Sequence, residues 1–510
     1  MSSPPVRTVI VAITSASVVV MGMATFESAS VAIRDTFGVS TQTLQIASAV
    51  PGAASMLLVF IAGMLSRRVS WFTLVRWAAL LSAVALVITA AAPSLAVLTL
   101  GRGLSAMGGV VLVVAGLGIL QKGFVEPKAR ARVFGLLAAI APAVYLITPT
   151  IAGVVTDLIS WRAVPVVLAI GMVVLGLLSI GLPPLPGSAS DGDPGEHPEW
   201  LTPLLAGVAL ALLVGTLIAV PLSLVGAGVL GALCVVITAL TIVLWRRSAA
   251  PGLDVSVLQQ PAMTWIVIAT SLTAVVSFVF FTAMWLQSQP GAATTTTALI
   301  MTIPQLVGIV GGFLGGRLAS RFGPYPVAII ALSASVLGGI SFIVMGAATP
   351  AWLVVATAAF LVGASVAASG PVTQIFLERV PDGREGSAAA WRTAIRTSAT
   401  AVGSILVIIV AASVYRASVA GSLEQQGVDP ATAAVVAAEV QGRVPIDVVT
   451  ANYILPNHVE ADLLKDNPLV RQAARADAMG VCGAFTIGTN VIAAGALVIA
   501  YRRRSTIPSI

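Results

Sequence analysis

Runs of roughly twenty apolar residues follow one another along nearly the whole chain, separated by short polar turns. Each run is long enough to cross roughly 30 Å of hydrocarbon as a helix. In lipid only helices and closed barrels satisfy every backbone amide. Hydrophobic residues make up 58% of the 510 residues and charged ones 9%, too little polar material to cover a soluble fold. The expected fold class is all-α, a polytopic membrane protein. About 14 spans are expected, at 8–33, 43–65, 72–92, 95–119, 133–156, 163–183, 201–220, 222–245, 263–286, 296–316, 325–348, 351–376, 388–415 and 477–500. The first span is too long in its apolar stretch for a signal peptide and is read as retained.

Two turns read alike. Gly63-Met64-Leu65-Ser66-Arg67-Arg68 follows the second span, and Gly316-Arg317-Leu318-Ala319-Ser320-Arg321-Phe322-Gly323 follows the tenth. A small-residue, basic turn that recurs about 250 residues later fits pseudo-symmetric halves that move against each other. Because the copies follow spans 2 and 10, matching six-helix halves require spans 7 and 8 to be an inserted pair. The expected domains are residues 1–183, an N-terminal six-helix half; 184–200, a turn-rich acidic linker; 201–245, the inserted pair; and 246–510, a C-terminal six-helix half. The last includes a polar segment, 417–476, expected to be soluble and exoplasmic, with helix-forming composition at 431–442.

The net charge of +7 suggests nucleic acid only until its placement is examined. Basic residues gather in alternate loops: Arg7, Arg67, Arg68, Lys122, Lys128, Arg130, Arg132, Arg246, Arg247, Arg317, Arg321, Arg379, Arg384 and Arg502 onward, against little beyond Arg34 and Arg162 in the short loops between them. That asymmetry places both termini in the cytoplasm of a cell (inner or plasma) membrane. Membrane lipids, not nucleic acid, are the expected surroundings. Cys234 and Cys482 fall inside spans with no metal-ligand spacing around them and read as packing residues.

Charged groups inside spans are costly and therefore informative. Glu27 lies in the first span. Desolvation raises a carboxyl pKa, so such an acid can exchange between neutral and charged forms, which is what proton coupling needs. As an alternative, it snorkels to the interface. Arg102, in the fourth span, has no neighbouring acid in sequence and needs a partner across the bundle: Glu27, a freed carbonyl or water. The two recurrent turns supply gating candidates, Gly63, Arg67 and Arg68 in one and Gly316, Arg317, Arg321 and Gly323 in the other. Their arginines can bond the last carbonyls of neighbouring helices. Thr148, Pro149 and Gly153 in span 5, with Pro142 before them, predict a bend or hinge with close helix contact. Candidate substrate-cavity residues are Phe26, Tyr145, Phe281, Trp285, Gln305, Gln374 and Arg396. Arg392 and Arg396, four apart on one face, read more as interface anchors than as ligands. No phosphate-binding loop, metal set or nucleophile arrangement points to an enzyme, and no cofactor is expected.

These residues resemble the major facilitator superfamily, specifically its 14-span drug:proton antiporter branch, over essentially the whole length. Glu27 falls where the branch has a first-span aspartate. Gly63–Arg68 and Gly316–Gly323 resemble its paired inner-loop signatures, Arg102–Gly109 its fourth-span arginine motif, and Thr148–Gly153 its antiporter motif. Trp161-Arg162, Leu253-Asp254-Val255, and Arg396 with Gly403 fall at further marks. The family's inner-loop aspartate is Arg67 in one copy and Ser320 in the other; Ser105 and Thr148 also depart from the pattern. The resemblance implies a major facilitator fold and a proton-coupled exporter of hydrophobic or amphiphilic compounds, with Glu27 carrying the proton beside Arg102. Its partners would be lipids, protons and a small amphiphilic substrate. Alternatives are an exporter of an endogenous envelope lipid or metabolite, and a non-transporting sensor or scaffold. A monomer is expected, with 417–476 open to an exoplasmic partner.

Overall fold

The computed structural model describes residues 5–39, 41–183, 185, 199–220, 223–248, 252–274, 282, 300–346, 348–381, 383–425, 427, 429–431, 433 and 468–504. Of residues 27, 28, 30, 31, 41, 42, 45, 46, 48, 49, 149, 150, 157, 404, 405, 408, 412, 468–473 and 504 it describes the backbone alone. Fourteen helices run in order among these residues: α1 (Val6–Phe37), α2 (Thr41–Leu65), α3 (Trp71–Ala90), α4 (Leu95–Gly123), α5 (Pro127–Leu158), α6 (Ala163–Leu178) and α7 (Leu201–Ala219). They continue as α8 (Leu224–Arg247), α9 (Met263–Leu272), α10 (Thr302–Phe322), α11 (Pro324–Val344), α12 (Ala351–Glu378), α13 (Glu385–Gln425) and α14 (Pro468–Arg504).

The all-α expectation holds, with no strand among the described residues. Among the described residues nine helices have the length and hydropathy of a membrane span, and three shorter ones are apolar. Their starts are chemically marked. Ser70, Ser94 and Ser223 cap α3, α4 and α8 by accepting from the amides of Thr73, Val97 and Gly226, and Pro127 opens α5 where its missing N–H costs nothing. Gly38 ends α1 in the left-handed conformation that glycine tolerates best. Exposed large apolar side chains line the outward faces of α3, α6, α8 and α11, including Trp77, Val84, Val167, Ile170, Val235 and Ile330. In water such a belt would drive aggregation; in a bilayer it is the lipid-facing surface.

Packing repeats. Among the first six helices α4 packs on α1, α2 and α3; α6 packs on α1 and α3; and α5 on α1. The same relations recur later, with α12 on α9, α10 and α11, α14 on α9 and α11, and α13 on α9. Between the two sets, α2 packs on α13 and α10 on α5, again a reciprocal pair, as are α4 with α13 and α12 with α5. Helix α7 rests on both α2 and α13, with α8 outside it.

Helix α5 is one helical element through Pro142 and Pro149. Two expectations change. The polar segment 417–476 is not a separate unit at its ends: α13 continues to Gln425 and α14 begins at Pro468. There Val419, Leu423 and Ala474 are buried and Ser418 donates to Asp477 across the two helices, since helix-on-helix burial carries both beyond the hydropathic span. The tenth span sits about six residues later than hydropathy placed it, as its close-packed glycines lower its apparent apolarity. Residues 434–442, most of the linker 184–200, Phe281 and Trp285 lie outside the described residues. Cys482 is buried and Cys234 donates to the Ala209 carbonyl at 3.3 Å; both are free thiols.

Candidate functional site at the basic end

Alternate helix ends carry the basic residues named above and form what we term the basic end. There Arg7 donates to the Leu178 carbonyl at 2.6 Å and to those of Leu177 and Ile180, tying the start of α1 to the open carbonyls at the end of α6.

The repeated turns act through their glycines. Gly63 on α2 faces α13, where a Cβ would stand 2.8 Å from the Ala390 methyl carbon and 3.0 Å from the Gly386 carbonyl oxygen. Gly316 on α10 faces α5, where a Cβ would stand 2.7 Å from the Cα of Gly135 and 3.0 Å from the Ala131 carbonyl oxygen. Both distances are shorter than real Cβ contacts, so only glycine lets the backbones meet. Each copy of the turn therefore binds its own set of helices to the other.

Polar contacts seal the same layer. Lys122 of α4 pairs with Glu385 at the start of α13 at 2.7 Å, and Glu385 is 4% exposed. Arg130 of α5 approaches Glu378 of α12 at 3.6 Å, and Gln374 donates to that carboxylate at 2.7 Å. Gln121 donates to the Leu377 carbonyl at 2.6 Å, and the rings of Phe60 and Trp391 meet edge-on at 4.7 Å. The contacts Gln121–Leu377, Lys122–Glu385 and Arg130–Glu378, which bridge α1–α6 and α9–α14, all lie at this end.

A second knot joins α7 and α8 to it. Glu199, preceding α7, accepts from the amides of Thr202 at 2.8 Å and Gly252 at 2.9 Å, and from the Thr202 hydroxyl. Burial pushes its carboxyl up, but the Thr202 hydroxyl and the amides of Gly252, Thr202 and Leu201 together outweigh that and hold it below the ordinary value. Arg67 donates to the Gly252 carbonyl at 3.4 Å, Trp245 to that of Leu253 at 3.2 Å and Trp391 to that of Asp254 at 2.8 Å. Arg384 approaches the Asp254 carboxylate at 3.6 Å and donates to Ser256. The connector 252–256 is thus gripped by α2, α8, α13 and the approach to α7.

Deeper in the first set, the Arg102 guanidinium lies 3.3 Å from the centroid of the Phe26 ring and donates to the Ala47 carbonyl at 3.5 Å. Of the partners expected for it, a carbonyl is found, with an aromatic face in addition. The side chain of Glu27, next to Phe26 in α1, lies outside the described residues, as does that of Pro149.

Other expected residues are dispersed. Arg68, Arg317 and Arg321 are exposed, and Arg321 lies over the Phe322 ring at 5.2 Å; the contact of the second turn with α5 is made by its glycine. Gly323 has φ +90° and joins α10 to α11. A Cβ at Gly153 would meet nothing within 4 Å; the close contacts of α5 with α10 fall at Gly135, Ala139 and Pro142. Thr148, Tyr145 and Gln305 are half-buried in α5 and α10. Gln374 belongs to the sealed layer, and Arg396 sits on α13 beyond it. Sequence reasoning missed Gly135, Gln121, Glu378, Glu385 and Glu199 as contact residues. The signal was available in the acids on both sides of the α12–α13 connector, opposite basic loops.

Two sets of helices with the same internal packing, joined reciprocally and sealed at one end, define a membrane transporter and not an enzyme. The Major Facilitator Superfamily model matches residues 12–404, and the chain belongs to that family. Among curated proteins, it is 29% identical over 349 residues to the multidrug resistance protein Stp of Mycobacterium tuberculosis, covering 65% of this chain and 61% of Stp. It is 26% identical to the drug efflux pump JefA of the same species, covering 82% of each. The alignment thus spans less than two thirds of Stp. The solved proton:xylose symporter XylE shares the fold, with a TM-score of 0.58 at 13% identity, covering 95% of this chain and 94% of XylE.

Proposed function

We propose that this protein is a secondary active, proton-coupled exporter of hydrophobic or amphiphilic compounds. It alternates access by rocking two six-helix halves of a 14-span bundle about a midplane cavity. The observation that carries the reading is the reciprocal glycine contact at the basic end, Gly63 on α13 and Gly316 on α5. A pair of contacts that closes one end and repeats in both halves is what an alternating transporter needs and a static scaffold does not. The relatives named as multidrug resistance and drug efflux proteins support export as the direction and drug-like molecules as the cargo.

The halves are residues 1–183 and 246–510, with 184–200 as linker and 201–245 as an inserted pair. The excess of arginine and lysine at the basic end supports a cytoplasmic position for it and for both termini, in the cell membrane. The described state is then closed inward. Glu27 is the proton carrier: it follows Phe26, whose ring holds Arg102, and a cation nearby would ease release of its proton. Glu27→Gln is expected to abolish pH-gradient-driven transport in proteoliposomes while the protein is still made and inserted. Undiminished transport in that variant would remove Glu27 from the mechanism.

A further inference from the structure

We propose that Arg392 and Arg396 form an anion-binding subsite, so that the cargo class includes amphiphiles with an acidic headgroup. Glu385, Arg392 and Arg396 fall on one stripe of α13, seven and then four residues apart. Glu385 pairs with Lys122 of α4, and Arg392 donates to the Thr373 hydroxyl of α12 at 2.6 Å, so this stripe looks into the seam between α4 and α12. Arg396 stands one turn further along, about 16 Å from Glu385 along the helix axis at 1.5 Å per residue. Both arginines therefore sit just beyond the sealed basic layer, where an inward-closed cavity would have its floor.

What singles out the pair is its missing countercharge. Among the described residues Arg392 Nε is buried without a hydrogen-bond partner, and the Arg396 guanidinium makes no hydrogen bond or ion pair. No carboxylate pairs with either among the described residues. Neither side chain is exposed, so they do not reach back to water as interface anchors do. Two guanidinium groups one turn apart repel each other, and burying them adds a desolvation cost that hydrogen bonds to Thr373 alone do not offset. A carboxylate, phosphate or sulfonate placed between them would satisfy both forks and cancel the repulsion. The apolar residues of the same seam would take the tail.

The inference builds on the exporter reading only for the position of the cavity, and an equilibrium test separates the two. Full-length protein in zwitterionic phosphatidylcholine nanodiscs is titrated with dansylundecanoate and with its methyl ester, each corrected against protein-free discs. The wild-type protein is expected to bind the acid at least tenfold more tightly than the ester. Arg396→Gln should bring the two to parity, while Arg396→Lys keeps part of the preference. Equal binding of acid and ester by wild type, or an equal loss of both in Arg396→Gln, overturns the proposal. If the glutamine variant does not fold, the wild-type comparison with Arg396→Lys still decides it. Discs with added phosphatidylglycerol identify the source of the headgroup: competition assigns the subsite to a bilayer lipid, and no competition to a single-chain acid. Failure of pH-driven flux would sink the exporter reading and leave this binding result standing.

Discussion

At Lys122 and Glu385 an ion pair spans the two sets of helices in a layer almost closed to water. Removing one partner of a fully buried pair costs about 3–5 kcal/mol. Lys122 keeps 17% of its side chain exposed, so Glu385→Gln should weaken closure of the basic end by about 2 kcal/mol, roughly thirtyfold in the conformational equilibrium. Spin labels on α4 and α13 at that end should report the longer separation as a larger population; an unchanged distance distribution would refute the role of the pair. Glu199 titrates differently. Its folded-state carboxyl is held below the ordinary value, so its contribution is present above the unfolded pKa and is lost as pH falls through the folded one. The wild-type protein should be more thermostable than Glu199→Gln at pH 7, with the difference shrinking below about pH 4. These acids were visible in the sequence as loop charges, yet their partners were not, because Lys122 and Glu385 lie in different sets of helices and meet only through the reciprocal packing.

For the helices, the informative contrast is between the two prolines of α5 and its glycine. Pro142 and Pro149 marked that helix in the sequence as a hinge, but its closest backbone approach to α10 at the basic end is at Gly135, with Ala139 and Pro142 meeting Gly312 and Gly308 further along. The distances at Gly135 and Gly316 leave no room for a side chain, and overpacking a tight contact costs about 1–3 kcal/mol. Gly316→Leu and Gly63→Leu should each hold the basic end open, so that a cysteine at Ser66 or Ala131 reacts with a membrane-impermeant maleimide faster than in the parent. Gly153→Leu, where the added carbon meets open space, should leave that rate unchanged. An equal effect at all three positions would remove the distinction between contact and non-contact glycines. The recurrence of the turn was legible along the chain; which of its residues latches was not, since the arginines stand out in the sequence while the glycines act only where another backbone approaches.

Across the whole molecule, orientation follows from where charge stays in water. A cysteine in place of Arg247, at the end of α8, should be labelled by an impermeant reagent only after the cells are permeabilised, and labelling of intact cells would invert the assignment. The sequence by itself determined the medium, the helical class and the duplication, because hydrophobic length, sparse charge and a repeated turn are properties of the chain that no packing can alter. Tertiary structure alone decided which glycines bear the contact at the basic end and that Arg392 and Arg396 lie in a seam with no carboxylate paired to either among the described residues. Those depend on groups hundreds of residues apart meeting within a few ångströms, and close packing in a bilayer is a property of helix pairs that neither helix encodes on its own.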